Sequence, residues 1–428
     1  MRFITLIGCR KICVIVFIVA GGLLPPVGYA STNAPKTLVQ LTLKDAIAQT
    51  LAQNPQLYQY RFANDALKAQ KQTGALRPAM ELELEVENFA GSGAFKGLDN
   101  SEVTLSLSSV IEMGGKRKAR MSLVDARIHQ AEWEQQASTL DLLGELTVSY
   151  IESLATQVNI QLAEESLALS QSLLKTVKTR SNKGATPEAE VMRAQAAVAR
   201  SEIRLAALVE RLERQKIQLA RFWGDTTPAF SSLGGSLFAF GASQEFDQLY
   251  ARVKTSPAIQ VFASEARIKD AEVTLARAGR RSDLTWRAGI RRFEETGDSA
   301  FTAGLSIPLF SKKRNSGEVK AALANRNAVD YARQDLLLRL HAQLFEAYSL
   351  RRQSIAAVNK TESEIIPALE NALKLTRKAY ENGRYRYLDL IAAQEELLAT
   401  KQAHIDAAST ALISQALIEN LSSESLNQ

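Results

Sequence analysis

Along most of this chain apolar residues recur every three or four positions, and in four short stretches they recur at every second one. The longer period predicts α-helix and the shorter a half-buried β-strand. From about Lys116 to Asn182 the helical period runs without a clear break, apart from a tolerable Gly144. At 1.5 Å per residue that is roughly 100 Å of helix. Leu143, Leu146, Tyr150, Leu154, Val158 and Leu162 follow one another at three- and four-residue steps, a coiled-coil-like seam. A similar run extends from about Ser316 to Asn382, with a kink expected at Pro367. Apolar residues also occur off the seam, and Ala is frequent at 192–207 and 392–415. Two packing faces per helix suit a closed helical tube better than a two-stranded rod.

The four alternating stretches are Met80 to Glu87, Val103 to Ser108, Leu284 to Arg291 and Phe301 to Leu309. In the first, Leu82, Leu84 and Val86 share one face, and Glu81, Glu83, Glu85 and Glu87 share the other. In the third, Arg287 and Arg291 lie on the polar face. Runs of about 9–11 residues are the length at which a tilted strand crosses a bilayer. A small soluble sheet packed on helices would alternate in the same way. The glutamates and arginines favour a water-filled lumen, and the Gly-rich connections at 90–100 and 294–299 read as surface loops. Four strands cannot close a pore, because barrels begin at about eight. Two copies would supply eight strands and three copies twelve. Four long helices per chain favour three, giving a twelve-helix wall.

The plan occurs twice. An amphipathic segment at 41–51 precedes Asn54-Pro55, and another at 246–253 precedes Ser256-Pro257; a helix, two strands and long helical sequence follow each. Gly184 and Gly383 interrupt the helices and stand at the same 199-residue offset as the Ala-Gln pairs ending at Gln195 and Gln394. A Gly just past a helix is the common left-handed stop, so both are expected to be tight turns between antiparallel helices. Pro187 suits the first turn of the helix that follows. The expected division is a first repeat at 31–223, with strands at about 80–110 and a helical hairpin at about 116–223. A Gly-, Ser- and Thr-rich linker at 224–245 leads to a second repeat at 246–428, with strands at about 284–310 and a hairpin at about 316–424.

Residues 1–30 have a basic start, an apolar stretch from Ile12 to Leu24 and a small-residue end at Ala30, the pattern of a secretory signal. An N-terminal anchor helix is the other reading, although the stretch is short for one. Leu6-Ile7-Gly8-Cys9 looks like a lipoprotein box, but the apolar core follows Cys9 instead of preceding it. Both cysteines, Cys9 and Cys13, fall in the leader, so no disulfide is expected in the mature chain. Without Arg2, Arg10 and Lys11 the net charge falls from +6 to +3, too weak to argue for nucleic acid. His129, His341 and His404 are far apart in sequence and read as solvated or packing residues, with no metal and no cofactor expected. There is no nucleophile–His–acid set, which argues against an enzyme. Gly114-Gly115 reads as a flexible junction; the spacing of a phosphate loop is missing.

The duplicated strand pair and helical hairpin, the Asn54-Pro55 start and the two Gly-to-Ala-Gln turns together resemble the TolC-type outer-membrane efflux family over essentially the whole mature chain. Glu85-Val-Glu-Asn-Phe89 with Gly91 and Gly93, and Thr104 through Ile111-Glu112-Met-Gly-Gly115-Lys-Arg117 and Arg120, look like its heavy-metal, CzcC-like branch. The resemblance implies a mainly α fold with a membrane β-barrel: a homotrimer with a twelve-stranded barrel in outer-membrane lipid, a periplasmic α-barrel and an equatorial collar. It also implies a periplasmic adaptor protein docked on the helical turns and an inner-membrane RND-type pump beneath, with substrate conducted passively outward. It carries Tyr380 onto the gate tyrosine, and Glu190 and Asp389 onto acidic ring positions; Ala392 stands where some members have a second Asp. Adaptor contact maps to Asn182, Lys183, Gly184, Ala185 and Thr186 and to Glu381, Asn382, Gly383, Arg384 and Tyr385. Lys183 and Asn382 replace a Val common before this Gly.

Rings of carboxylates at one level would select cations. Glu190 and Asp389 are equally readable as first-turn acids favoured by the helix dipole. The cargo expected from the CzcC-like pattern is heavy-metal cations. Drugs or secreted proteins are the alternative for the same duct. A periplasmic coiled-coil scaffold would explain the helices but not the duplicated strands.

Overall fold

The computed structural model describes residues 38–423; the leader expected at 1–30 lies outside them. The first half runs β1 (Leu38–Leu41), α1 (Leu43–Gln53), α2 (Pro55–Gly74), β2 (Glu81–Glu87), β3 (Glu102–Ile111), α3 (Lys116–Asn182) and α4 (Glu188–Ala220). After β4 (Phe230–Leu233) come α5 (Phe246–Val253), α6 (Pro257–Ala278), β5 (Leu284–Phe293), β6 (Ser299–Ser306), a short α7 (Ser311–Arg314), α8 (Ser316–Lys360), α9 (Ile366–Glu381) and α10 (Tyr387–Ser422).

Local chemistry sets the helix starts. Thr42 and Asp45 form a capping box on α1, with Thr42 Oγ1 donating to Asp45 Oδ2 at 2.6 Å. Asn54 accepts from the Gln56 amide at 2.8 Å, and Pro55 occupies the first position of α2, where its missing N–H costs nothing. The Asn54 amide also donates to Phe222 O at 2.7 Å, tying the start of α2 to the turn just after α4. The helix expected at 316–382 is broken by a five-residue π turn at Thr361–Ile365, just before Pro367. Proline cannot supply the helical donor, and a wider turn re-registers the chain around the gap.

The seam packs as its period requires. Leu143, Leu146, Tyr150 and Leu154 of α3 are buried with Leu219, Trp223 and Ile405, while Val158 and Leu162 are half-buried at its margin. α3 packs against α2, α4, α6 and α10, so it joins elements of both halves.

The segment at 224–245, expected to be a linker, contains β4. This strand pairs in parallel with β1, with Leu38 opposite Phe230 and Leu41 opposite Leu233. Two side chains of α3 hold the pair. Gln157 accepts from the Leu233 amide at 2.9 Å and donates to the Leu233 carbonyl at 3.1 Å. The Tyr150 hydroxyl lies 2.8 Å from Leu41 O and 2.6 Å from Gly234 O.

The other four strands form one antiparallel sheet in the order β2-β3-β5-β6. The halves meet at β3 and β5, paired from Glu102–Phe293 to Ile111–Leu284, which leaves β2 and β6 as open edges. No helix among the described residues is long and apolar enough to cross a membrane.

Candidate gate at the helical tips and the charged face of the sheet

The same turn ends α3 and α9. Gly184 has φ +71° and Gly383 has φ +73°, a region closed to most side chains. In the first turn the Ala185 amide donates to Arg180 O at 2.9 Å and Gly184 N to Ser181 O at 2.8 Å. In the second, Arg384 N donates to Ala379 O and Gly383 N to Tyr380 O, both at 2.9 Å. This pair of bonds satisfies the last carbonyls of a helix and reverses the chain. Asn182, Lys183, Gly184 and Ala185 are exposed in one turn, as are Glu381, Asn382, Gly383, Arg384 and Tyr385 in the other, whereas Thr186 is buried.

Glu190 and Asp389 occupy equivalent positions, third in α4 and third in α10. One difference beside them sends their carboxylates to different partners. Before α10 stands Arg386, whose amide donates to Asp389 Oδ2 at 2.9 Å, with its guanidinium 3.5 Å from Oδ1. Those donors hold the Asp389 carboxyl below the usual range. Before α4 stands Pro187, the cap of the helix and not its first residue, and it has no amide to give. Glu190 lies instead within 3.4 Å of the Tyr380 hydroxyl.

Tyr380 is 2% exposed and packs with Leu173, Val177, Leu373 and Leu390, edge-on to Tyr387 at 6.5 Å between ring centres. Burial pushes the phenols of Tyr380 and Tyr387 up. Over the Tyr380 ring, 4.7 Å from its centre, lies the guanidinium of Arg180. It donates to Tyr380 O at 2.5 Å, to Glu381 O at 2.9 Å and to Thr186 Oγ1 at 3.2 Å. Arg180 therefore fastens the end of α9 to the end of α3. The structure brings together Tyr380, Glu190 and Thr186 of the expected residues, and Asp389 bonds elsewhere. Sequence reading missed Arg180. Its signal was an asymmetry, since the 199-residue offset pairs it with Ala379.

The sheet is inverted relative to a soluble one. Thr104, Ser106 and Ser108 of β3 are 5%, 3% and 8% exposed, whereas Leu82, Leu84, Leu105, Phe301 and Leu305 on the opposite face stand open. The polar face carries the expected charges. Arg287 pairs with Glu83 at 3.1 Å, and Arg291 pairs with Glu87 at 3.1 Å and Glu102 at 2.8 Å. Glu81 and Glu85 share that face. Among the described residues no three His, Cys, Asp or Glu side chains gather as a metal site. His341 packs edge-on against Tyr250 at 4.7 Å, His404 stacks on Phe238 at 4.6 Å, and His129 is exposed beside Glu132.

The family described as "Outer membrane efflux protein" matches residues 46–225 and 250–422. The chain belongs to this outer membrane efflux family. Each matched stretch holds one strand pair of the inverted sheet and one helical hairpin. Among relatives, the chain is 25% identical over 297 residues to the cobalt-zinc-cadmium resistance protein CzcC of Cupriavidus metallidurans, covering 69% of this chain and 70% of that one. It is 25% identical over 313 residues to the pyoverdine export outer membrane protein OpmQ of Pseudomonas putida, covering 69% and 64%. The crystal structure of the outer membrane protein VceC from Vibrio cholerae superposes with a TM-score of 0.70 at 20% identity, over 89% of this chain and 95% of that one. The fold is that of this outer membrane protein, and as an outer membrane efflux protein the chain sits in the outer membrane with a large helical part in the periplasm.

Proposed function

We propose that three copies close the open edges β2 and β6 into a twelve-stranded barrel and continue it as a helical tube, forming the exit duct of a tripartite efflux pump. The observation that carries this reading is the inverted sheet. A charged face and an exposed apolar face, on strands of 7–10 residues with two unpaired edges, need both lipid and further strands. The chain divides into a leader at 1–30, repeats at 31–223 and 246–428 and a joining segment at 224–245. The turns at 182–186 and 381–385, exposed but for Thr186, receive a periplasmic adaptor that connects to an inner-membrane RND-type pump. Tyr380, Glu190 and Asp389 stand at the periplasmic gate, and Glu81, Glu83, Glu85, Glu87, Arg287 and Arg291 line the lumen.

The cargo is heavy-metal cations. The likeness to a cobalt-zinc-cadmium resistance protein supports this, and so does the polar face of the sheet, where glutamates outnumber arginines and favour cations. A second reading, export of an organic molecule, rests on the likeness to a pyoverdine exporter. A deletion strain grown across cobalt, zinc, cadmium, nickel, copper and silver, and across drugs and detergents, separates the two. Sensitivity confined to metals and restored by the intact gene supports the first; sensitivity confined to organic compounds removes it. Heat-modifiable trimers in the outer-membrane fraction are expected, and a soluble periplasmic product would overturn the duct.

A further inference from the structure

The junction between sheet and helices carries a concentration of charge that neither the lumen nor the tips use. All four of its chain passages hold exposed basic residues without an ion-pair partner among the described residues: Arg77 before β2, Arg117 and Lys118 after β3, Arg281 before β5, and Lys312, Lys313 and Arg314 after β6. Two of the acids that face it are already taken, and the exposed Glu81 and Glu318 are outnumbered by the free cations. Asp283 accepts from Lys116 Nζ and from the Met113 amide, at 2.7 and 2.9 Å, and Glu112 is paired with Arg120. The uncompensated charge is therefore positive.

Apolar surface adjoins it. Met80 and Ile111 are 68% and 47% exposed, and Leu309 and Phe310, just ahead of Lys312, are also open. Trp286 lies opposite Ser109 on the apolar face of the sheet. A hollow of about 470 Å³ is lined by Met80, Ile111 and Trp286 together with Arg77, Arg117 and Lys118. Exposed apolar side chains, an indole and unpaired cations within one hollow match the end of a bilayer, where hydrocarbon gives way to headgroups. A soluble anion would need the cations and not the open apolar wall.

We propose that this hollow binds an anionic phospholipid of the periplasmic leaflet, with acyl chain against Met80, Ile111 and Trp286 and phosphate against Arg77, Arg117 and Lys118. Lys116 and Arg120 stay with their carboxylates and brace the junction. The proposal rests on the reading that the sheet crosses the outer membrane with the helices on its periplasmic side. Its consequence is that the duct is held at a fixed depth by charge as well as by hydrophobic length.

The test uses the full chain reconstituted into vesicles of phosphatidylcholine with phosphatidylglycerol, extracted in detergent, with retained lipids counted by native mass spectrometry. The unmodified protein should retain phosphatidylglycerol in preference, and that preference should fall as ionic strength rises. Each cation at an anionic surface contributes about fivefold. Arg77→Gln/Arg117→Gln/Lys118→Gln should therefore lose on the order of a hundredfold, while still migrating as a heat-modifiable species. Equal retention of both lipids by the unmodified protein, an unchanged preference in the triple variant, or displacement by inorganic phosphate at the lipid's own concentration would each overturn the site. Strands left open to protease in these vesicles would overturn the membrane reading, and the lipid site with it.

Discussion

Arg180 is the side chain whose removal should do most to the tips. Arg180→Ala deletes three hydrogen bonds, to Tyr380 O, Glu381 O and Thr186 Oγ1, and a guanidinium stacked 4.7 Å above the Tyr380 ring. Hydrogen bonds from a charged donor contribute about 1.5–3 kcal/mol each when fully desolvated. Arg180 is only half-buried, so solvent screens them, and the ring contact adds about 0.5–1 kcal/mol at such a site. About 2 kcal/mol per chain is a reasonable sum, or roughly 30-fold in the balance between fastened and released tips. If three chains release together, the shift is about 6 kcal/mol. Single-channel recording in planar bilayers reads this directly, as a rise in resting conductance. Arg180→Lys should fall between the two, because an ammonium is a point donor that cannot span both carbonyls and Thr186. A resting conductance in Arg180→Ala equal to that of the unmodified channel would refute the tie as the element holding the tips.

Three further outcomes follow from other sites. Burial pushes the Tyr150 phenol to about 12, so the unfolded chain loses that proton first and stability should fall as pH rises from about 10 to about 12; alkaline titration followed by circular dichroism should lose that phase in Tyr150→Phe. Gly114→Ala meets both a left-handed backbone and a wall, since its Cβ would lie 2.8 Å from Arg281 Cβ and 3.0 Å from Ala278 O; Gly115→Ala meets the backbone strain alone. Heat-modifiable protein should therefore be depleted more in the first than in the second, and equal yields would remove the packing argument. Arg291→Gln frees Glu87 and Glu102, so reversal potentials should shift toward cation preference, with a stability change of at most about 1 kcal/mol.

What the sequence made legible was periodic. The long helix at 116–182, the four alternating strands and the turns at Gly184 and Gly383 all leave a pattern that repeats within a few residues. Pairing of β1 with β4 does not. Each strand is four residues long, and they meet across about 190 positions of chain, so neither alternation nor local turn chemistry marks them. Arg180 was invisible for a related reason: its partners are backbone carbonyls of a distant helix, which any residue type supplies. Gly114-Gly115 read as flexible because composition does not reveal backbone angles. Both residues sit at φ +73°, and Gly114 is pressed against Arg281. Glu190 and Asp389 were legible as equivalent acids. Their separation required knowing that Pro187 caps one helix and Arg386 the other.

The open-edged sheet has a consequence for the life of the chain before it works. A newly exported copy carries a greasy ribbon with two unpaired rims through an aqueous compartment, and such a ribbon adheres to others like it. On the proposed trimer, escort proteins and prompt pairing with sister copies then become conditions of survival. A subunit altered at one rim would strand its partners half-built, so a single defective allele should be dominant over a healthy one.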